Sequence, residues 1–442
     1  MKRVLRRYRR QKRPKTQGSP DMVVYKPRQV QKNRIVPQRT NLEDVPVEIQ
    51  QTILHQMPDL PTLQALISAS PSYLRAYQSQ RHSILSNILL RDIHPDVLFD
   101  VLAIVDALKL PRNYDDYVPQ MKVFIEQYKT ARDSLHVALK QLEPSIKENV
   151  WGFHLSVIDV TKDFCDYALS THPVTGHSLN HRTSLSPNEV RRIHRAFYRY
   201  ELFTVLFRES DYYREEQTRR RRDRDPGRVR LAVQRDSIRS LDDQDRSFLF
   251  FALFRAWEVE EIACVRDYII HRYDELHKQC KSEWQEMTGR ESHYPAAPWN
   301  DSSEWVSEMY DDQSCHEHYL SLGLGFFCTL MKASHEDQMQ MLRENIGLSD
   351  STLSRALEEN GPEWDNPMYD AWVTEAFLGF YRDSDRDAPN AAWAWSTGDK
   401  VDIRYYQSDK AGLRTWGYVM WDKERLDQWS ILHENPHDYL LK

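Results

Sequence analysis

Glycine is scarce in this chain: its 442 residues include only 13 glycines. None of them forms a GxxxxGK[ST], GxGxxG or GxSxG pattern. Those motifs depend on glycine because the backbone must turn sharply or approach a phosphate closely. The sequence therefore lacks the signatures of P-loop nucleotide binding, dinucleotide binding and α/β-hydrolase catalysis.

Cysteine and long hydrophobic runs are sparse as well. The five cysteines lie far apart in the chain: Cys165, Cys264, Cys280, Cys315 and Cys328. An odd number in no close pair argues against a secreted disulfide framework and for a reducing compartment. The longest apolar runs fall well short of the ~20 residues that span a bilayer, and the N-terminus lacks the apolar core of a signal peptide. We predict a nuclear or cytoplasmic protein with no membrane partner.

Clusters of metal-binding and catalytic residue types are incomplete. The tightest is Cys315–His318, of sequence Cys-His-Glu-His, which has no second ligand pair at a spacing that suits structural zinc. His335-Glu336 and His433-Glu434 lack the second histidine of HExxH. A Cys–His catalytic pair from distant parts of the chain stays an open alternative. We predict no metal, no cofactor and no catalytic residue, and therefore not an enzyme.

Charge is distributed unevenly along the chain. The formal net charge is −6, yet residues 1–40 hold fourteen Lys/Arg against the single acid Asp21, which leaves −19 on the remainder. Like charges with little apolar content predict a disordered basic arm. Such an arm is typical of a nuclear-localisation patch, a nucleic-acid contact or a solvated tail. Nucleic acid is the less favoured partner, because no recognised nucleic-acid-binding motif follows.

Helical periodicity continues through most of the chain and predicts an all-α protein. Ser186-Pro187-Asn188-Glu189 has the form of a helix N-terminus with a capping box. The helix after it presents an apolar stripe from Ile193 to Phe207 and an opposite, arginine-rich face that includes Arg195 and Arg199. No repeat at a fixed period of 20–50 residues is visible.

The periodicity, together with composition shifts, predicts four segments. They are a disordered basic arm (1–40), a three-helix module (41–90), a multi-helix body with a charged loop near 210–240 (91–385) and a tryptophan-rich C-terminal segment (386–442). Seven of the twelve tryptophans lie in the last eighty residues: Trp364, Trp372, Trp393, Trp395, Trp416, Trp421 and Trp429. These rings are expected to cap the helical body; a surface that grips a target protein is the alternative.

The stretch Leu42–Tyr77 is the most informative part of the sequence. Pro46, Pro61 and Pro71 each suit a first helical position, and Ile49 and Ile53 share one face of the first helix. Helices this short are marginal alone, so they must pack on each other, on the following chain or on a partner.

This stretch resembles the F-box, a helical module that binds a Skp-type linker protein in cullin-based ubiquitin ligases, and in particular the F-box-like proteins of filamentous fungi. The resemblance rests on the run from Val45-Pro46-x-Glu48-Ile49 through Ile53-Leu54 to Met57-Pro58-Asp59-Leu60-x-x-Leu63. Where the family usually has Val-Ser/Cys-Lys/Arg-x-Trp, this chain has Ser68-Ala-Ser-Pro-Ser-Tyr73.

The resemblance implies a substrate adaptor that holds an unknown target protein near the ubiquitin-carrying enzyme. It implies a Skp-type linker and a cullin complex as partners, and assigns linker binding to eight residues: Val45, Pro46, Glu48, Ile49, Ile53, Leu54, Leu60 and Leu63. Two alternatives remain. The three helices are an ordinary start to a non-enzymatic helical scaffold, or the protein is nuclear and associates with nucleic acid through its arm.

Overall fold

The fold is all-α, as the sequence predicts. A computed structural model describes residues 42–111, 117–130, 144–179, 184–208, 241–288, 312–345, 352–358, 390–397 and 410–439. These ranges contain sixteen α-helices and no β-strand. The basic arm, the charged loop near 210–240, Trp364 and Trp372 lie outside the described residues.

Eight α-helices lie between residues 47 and 250 within the described ranges. Their bounds are α1 Val47–His55, α2 Leu60–Ala69, α3 Pro71–Asp92, α4 Pro95–Ala107, α5 Tyr117–Thr130, α6 Pro144–Ala168, α7 Pro187–Phe207 and α8 Asp243–Phe250. A 3-10 turn, Phe251–Leu253, follows α8.

Eight further α-helices lie between residues 256 and 428 within the described ranges. They are α9 Ala256–Thr288, α10 Asp312–Ser321, α11 Gly323–Lys332, α12 His335–Glu344, α13 Thr352–Glu358, α14 Ala391–Thr397, α15 Ala411–Arg414 and α16 Lys423–Gln428. Three 3-10 turns belong to the C-terminal segment: Tyr418–Met420, Ile431–His433 and Pro436–Tyr439. No helix within the described ranges is both long enough and apolar enough to cross a membrane.

Residue contacts divide the chain into two units, Met1–Val45 and Pro46–Lys442. In the first unit the structure describes Leu42–Val45, which includes the 3-10 turn Leu42–Asp44. The second unit contains every α-helix described above and runs undivided past residue 90. The first three helices and the helical body therefore belong to one unit.

Local sequence signals explain how the first helices begin. Asp59 and Ser70 cap α2 and α3, because their side chains accept hydrogen bonds from the backbone N–H groups of Thr62 and Tyr73. Pro61 and Pro71 occupy the first turns of those helices, whereas Pro46 stands one position before α1 rather than inside it. α3 continues from the predicted third helix into the next helical stretch, with a kink at Gln80, where φ is −130° and ψ 25°.

Helix α7 lies at the centre of the body. Its predicted capping box is present: Ser186 Oγ accepts from the Glu189 N–H at 3.1 Å, and Glu189 Oε2 accepts from the Ser186 N–H at 2.9 Å. The helix packs against α4, α6, α9 and α11. Because it is surrounded in this way, Arg195 and Arg199 of the arginine-rich face are buried as well, and α7 is not the two-sided helix that the sequence pattern indicates.

Candidate functional site

The exposed surface at the start of α1 is the first candidate functional site, which we call the α1 face and define as Pro46, Val47, Glu48, Ile49 and Ile53. Val47 and Ile49 are 47% and 50% exposed. Pro46 and Glu48 are exposed, and Ile53 is half-buried one helical turn after Ile49. The α1 face contains four of the eight residues that the F-box resemblance assigns to partner binding.

Three of the other assigned residues lie inside the protein. Leu54, Leu60 and Leu63 are fully buried in the hydrophobic core, together with Tyr73, the residue that stands at the position of the family's aromatic. Leu54 is on the opposite side of α1 from Ile49 and points towards α3. The eighth residue, Val45, ends the other unit. The residues that the resemblance assigns to partner binding are thus of two kinds: some form the core between the first helices, and the others are exposed.

A set of polar contacts fixes which side of α1 faces inwards. Gln50 is buried next to Leu54, and its side-chain amide donates to Ser72 Oγ at 2.9 Å. Gln51 donates to Ser79 Oγ at 2.9 Å, and Arg91 at the end of α3 donates to the carbonyl of Met57 at 2.6 Å. Because these bonds tie the Gln50 side of α1 to α3, Ile49 is turned to the surface. The apolar period alone does not reveal this, since Gln50 counts as polar.

The tryptophans of the C-terminal segment are the second group that the sequence singles out. Among those described, Trp393, Trp416 and Trp421 are buried, and Trp395 and Trp429 are half-buried against the core. Trp421 donates from Nε1 to the Trp416 carbonyl at 2.7 Å, and its ring lies 6.3 Å from that of Phe164 in α6. These five rings cap the body, as expected.

Ionic contacts hold the same segment against the start of α7. Arg425 donates from Nε and Nη2 to the two carboxylate oxygens of Glu189, at 2.7 and 2.6 Å. Ser186 Oγ donates to the Asp422 carboxylate, and Arg192 pairs with the same carboxylate at 2.8 Å. Burial alone would raise the pKa of Glu189, but hydrogen bonds from Arg425, Ser186 and Asp422 more than offset it, so the pKa is lowered.

A buried ionic cluster joins α4, α7 and α9. Arg195 binds Glu261 through two hydrogen bonds, at 2.9 and 2.6 Å, and Arg199 donates to Asp100 at 3.1 Å. Glu258 lies within 2.8 Å of Arg195 and 3.2 Å of Arg199. Burial raises the pKa of Asp100 and of Glu261, whereas the two arginines overcome the effect of burial on Glu258 and lower its pKa. Each charge in the cluster has an opposite partner, which is what a buried ion requires.

The thiols in the described residues have the character of structural cysteines. Burial raises the pKa of Cys165 and of Cys328 to about 12, so both are protonated at neutral pH and are poor nucleophiles. Glu317, in the predicted metal-capable cluster, accepts hydrogen bonds from Arg266 at 2.8 Å and Ser354 at 2.5 Å. In the part of the chain that the structure describes, no three His, Cys, Asp or Glu side chains are grouped to hold a metal ion.

No protein-family model, no curated protein and no solved structure matches the chain. The F-box resemblance of the first helices therefore rests on their own residues alone.

Proposed function

We propose that the protein is an F-box-like substrate adaptor of a Skp–cullin–F-box ubiquitin ligase, in which the α1 face binds the Skp-type linker. The observation that carries this proposal is the exposure of Val47 and Ile49 within the motif that resembles the F-box. These two aliphatic side chains are exposed at the start of the helix that the resemblance assigns to linker binding, where a protein partner would remove them from water. An adaptor of this kind carries out no bond chemistry itself and works by proximity.

The remaining motif residues support the proposal in a different way. Leu54, Leu60 and Leu63 hold α1, α2 and α3 together, and the Gln50–Ser72 and Arg91–Met57 hydrogen bonds fix α1 on α3. A preformed binding helix loses little conformational freedom on association, which favours affinity. In this proposal the buried leucines position α1, and the target binds the helical body or the C-terminal segment.

The test is co-purification of the full chain with a Skp-type linker protein. Val47→Glu and Ile49→Glu each place a charge at the interface and are expected to weaken the complex by at least about tenfold. Val123→Glu is the matched control, since Val123 is a 57% exposed valine in the middle of α5. The Val123→Glu variant carries the same substitution away from the α1 face, and it is expected to bind the linker as the wild-type chain does.

Two outcomes contradict the adaptor proposal. One is a wild-type chain that does not capture the linker. The other is a complex that survives Val47→Glu and Ile49→Glu as well as it survives Val123→Glu. Thermal melting is the control for folding. Melting temperatures of all three variants within a few degrees of the wild-type value show that folded proteins are being compared.

A non-enzymatic helical scaffold without ligase assembly is the second candidate. It is favoured by the single unit that the first helices share with the body, since α2 and α3 pack against α6. Truncation of Leu54 does not separate the two candidates, because emptying a fully buried site costs ~2–5 kcal/mol in either case. The comparison of Val47→Glu with Val123→Glu separates the two candidates, because the scaffold proposal predicts that no variant binds the linker. Association with nucleic acid depends on residues 1–40, outside the described residues, and stays a hypothesis.

A further inference from the structure

A cavity of about 580 Å³ lies where the first three helices meet the body. Its lining comes from the start of α2, the end of α3, the second half of α6 and the start of α7, all within the unit Pro46–Lys442. The volume falls within the range of small-molecule sites. The cavity is separate from the α1 face, because no residue of that face lines it.

The apolar part of the lining consists of five half-buried aliphatic side chains. They come from α6 (Ile158 and Leu169), from the segment after α6 (Leu179) and from the residues around the start of α7 (Leu185 and Val190). Each of them keeps part of its apolar surface exposed, and all five border the same space. A ligand with an apolar body removes this surface from water, which is favourable in proportion to the area covered.

The charged groups of the lining are mostly acidic. Asp59, Asp92 and Asp166 supply three carboxylates, whereas Lys162 supplies a single ammonium group. His194 lines the cavity as well, but it adds no positive charge at neutral pH, because burial, reinforced by the nearby His154, lowers its pKa to about 3. The lining therefore presents an excess of negative charge to the cavity.

The three carboxylates differ in how far they are already engaged. Asp59 accepts a backbone N–H at the start of α2, at 2.7 Å, and Asp92 contacts Nε2 of His154 at 3.2 Å. Asp166 is exposed, and its side chain forms no hydrogen bond or ion pair with another described residue, including Lys162 one turn earlier in α6. A positively charged group can therefore approach Asp166 without displacing an existing bond.

The arrangement of these acids suits an organic cation better than a metal ion. In the described part of the chain, no three His, Cys, Asp or Glu side chains are grouped closely enough to hold a metal. A metal ion would also leave the five aliphatic side chains in contact with water. An ammonium group on an apolar body uses both the acidic and the aliphatic parts of the lining.

We propose that this cavity binds a small organic cation, namely an ammonium group on a compact apolar body. The ammonium lies beside Asp166, and the apolar body covers the aliphatic surface of Leu185 and Val190. This site does not depend on the adaptor function, because it uses no residue of the α1 face.

The test uses three probes that share the rigid adamantane body and differ in charge: adamantyl ammonium, adamantanol and adamantane carboxylate. Each is titrated against the full chain at neutral pH and followed by ligand-observed NMR. The ammonium is expected to bind most tightly. The carboxylate is expected to bind at least about tenfold more weakly than the ammonium, with the alcohol in between, because the acidic lining attracts one charge and repels the other.

Asp166→Asn is the decisive variant, because it removes the unpaired carboxylate with little change of shape at an exposed position. It is expected to weaken binding of the ammonium by about threefold, the size of one solvent-exposed ion pair, and to leave binding of the alcohol unchanged. Asp159→Asn is the matched control. Asp159 is an exposed acid of the same helix that pairs with Lys332 at 2.5 Å and does not line the cavity. Its replacement is expected to leave binding of the ammonium unchanged.

Lys162→Met tests the charge argument in the opposite direction. It removes the ammonium group of the lining while an unbranched apolar chain remains, and Lys162 is exposed, so the fold is preserved. Adamantyl ammonium is expected to bind this variant about threefold more tightly than the wild-type chain, because one repulsive charge is gone.

Four outcomes overturn the proposal. They are a wild-type chain that does not bind the ammonium, an alcohol or carboxylate that binds as tightly as the ammonium, equal weakening by Asp166→Asn and Asp159→Asn, and weaker binding of the ammonium by Lys162→Met. Thermal melting of the three variants near the wild-type temperature shows that folded proteins are being compared.

Discussion

Arg414 has no exposed surface, although its side chain is permanently charged. Its Nε and Nη2 donate to the two carboxylate oxygens of Glu260 in α9, at 2.6 and 3.1 Å. The Asp267 carboxylate lies 3.7 Å away. The surrounding protein tolerates a buried guanidinium because opposite charges face it at close range. At the residue scale, paired charges of this kind are a main link between the C-terminal segment and the body.

Replacing Arg414 by methionine is expected to lower the free energy of unfolding by ~3–5 kcal/mol, because Glu260 is left as a buried charge without its partner. The double variant Arg414→Met/Glu260→Gln is expected to recover part of that loss. Lys423→Met removes an exposed pair with Asp427 and serves as the control, with a cost of at most ~0.5 kcal/mol. Thermal and urea unfolding measure all three. Equal effects of Arg414→Met and Lys423→Met would contradict the assignment.

At the scale of elements, the C-terminal segment contacts α6 at Gly417, which lies just before the 3-10 turn Tyr418–Met420. Gly417 has a φ of 61°, in the left-handed region. A Cβ at this position would lie 2.7 Å from Cζ of Phe164. The turn thus needs glycine both for its backbone conformation and for the contact with α6.

Gly417→Ala is expected to destabilise the protein by more than ~1 kcal/mol, because the left-handed conformation alone costs about that much. Gly152→Ala is the control: Gly152 is inside α6 with open space around its Cα. That change is expected to stabilise the helix by up to ~1 kcal/mol. A Gly417→Ala variant with the melting temperature of wild type or higher would contradict the requirement for glycine at this turn.

The sequence predicts the helices far better than it predicts which side of each helix is buried. The start of α7 could be predicted because Ser186, Pro187 and Glu189 act on neighbouring backbone groups. The burial of Arg195 and Arg199 could not, because their partners come from α4 and α9 and are distant in sequence. The exposure of Ile49 depends in the same way on a bond between Gln50 and Ser72 in another helix. The cavity lined by Asp166 and Val190 is formed by four helices and has no local signal.

At the scale of the whole molecule, Glu189 links distant parts of the chain, because it binds Arg425, which lies 236 positions later. Its carboxylate completes the capping box of α7 and also binds Arg425 and the Asp422 backbone N–H. One side chain therefore stabilises the start of the central helix and the attachment of the C-terminal segment together.

This arrangement predicts a specific dependence of stability on pH. The pKa of Glu189 is lowered from 4.5, so the ionised group stabilises the fold above about that pH and loses its effect as the pH falls through the lowered pKa. The difference in melting temperature between wild type and Glu189→Gln is expected to be largest near neutral pH and to narrow in acid. Glu424→Gln, an exposed change in α16, is the control and is expected to show a small, constant difference. A difference for Glu189→Gln that grows in acid would contradict the assignment.

The buried carboxylates also impose an order on biosynthesis. Glu189 and Glu260 leave the ribosome long before Arg425 and Arg414, the cations that neutralise them. A nascent chain folds from its N-terminal side, so α7 and α9 cannot close fully around these acids until the late arginines have been made. Chains that end early retain two acids whose burial is unfavourable. The favourable burial of Glu260 and Glu189 therefore depends on cations that are made 154 and 236 residues later in the chain.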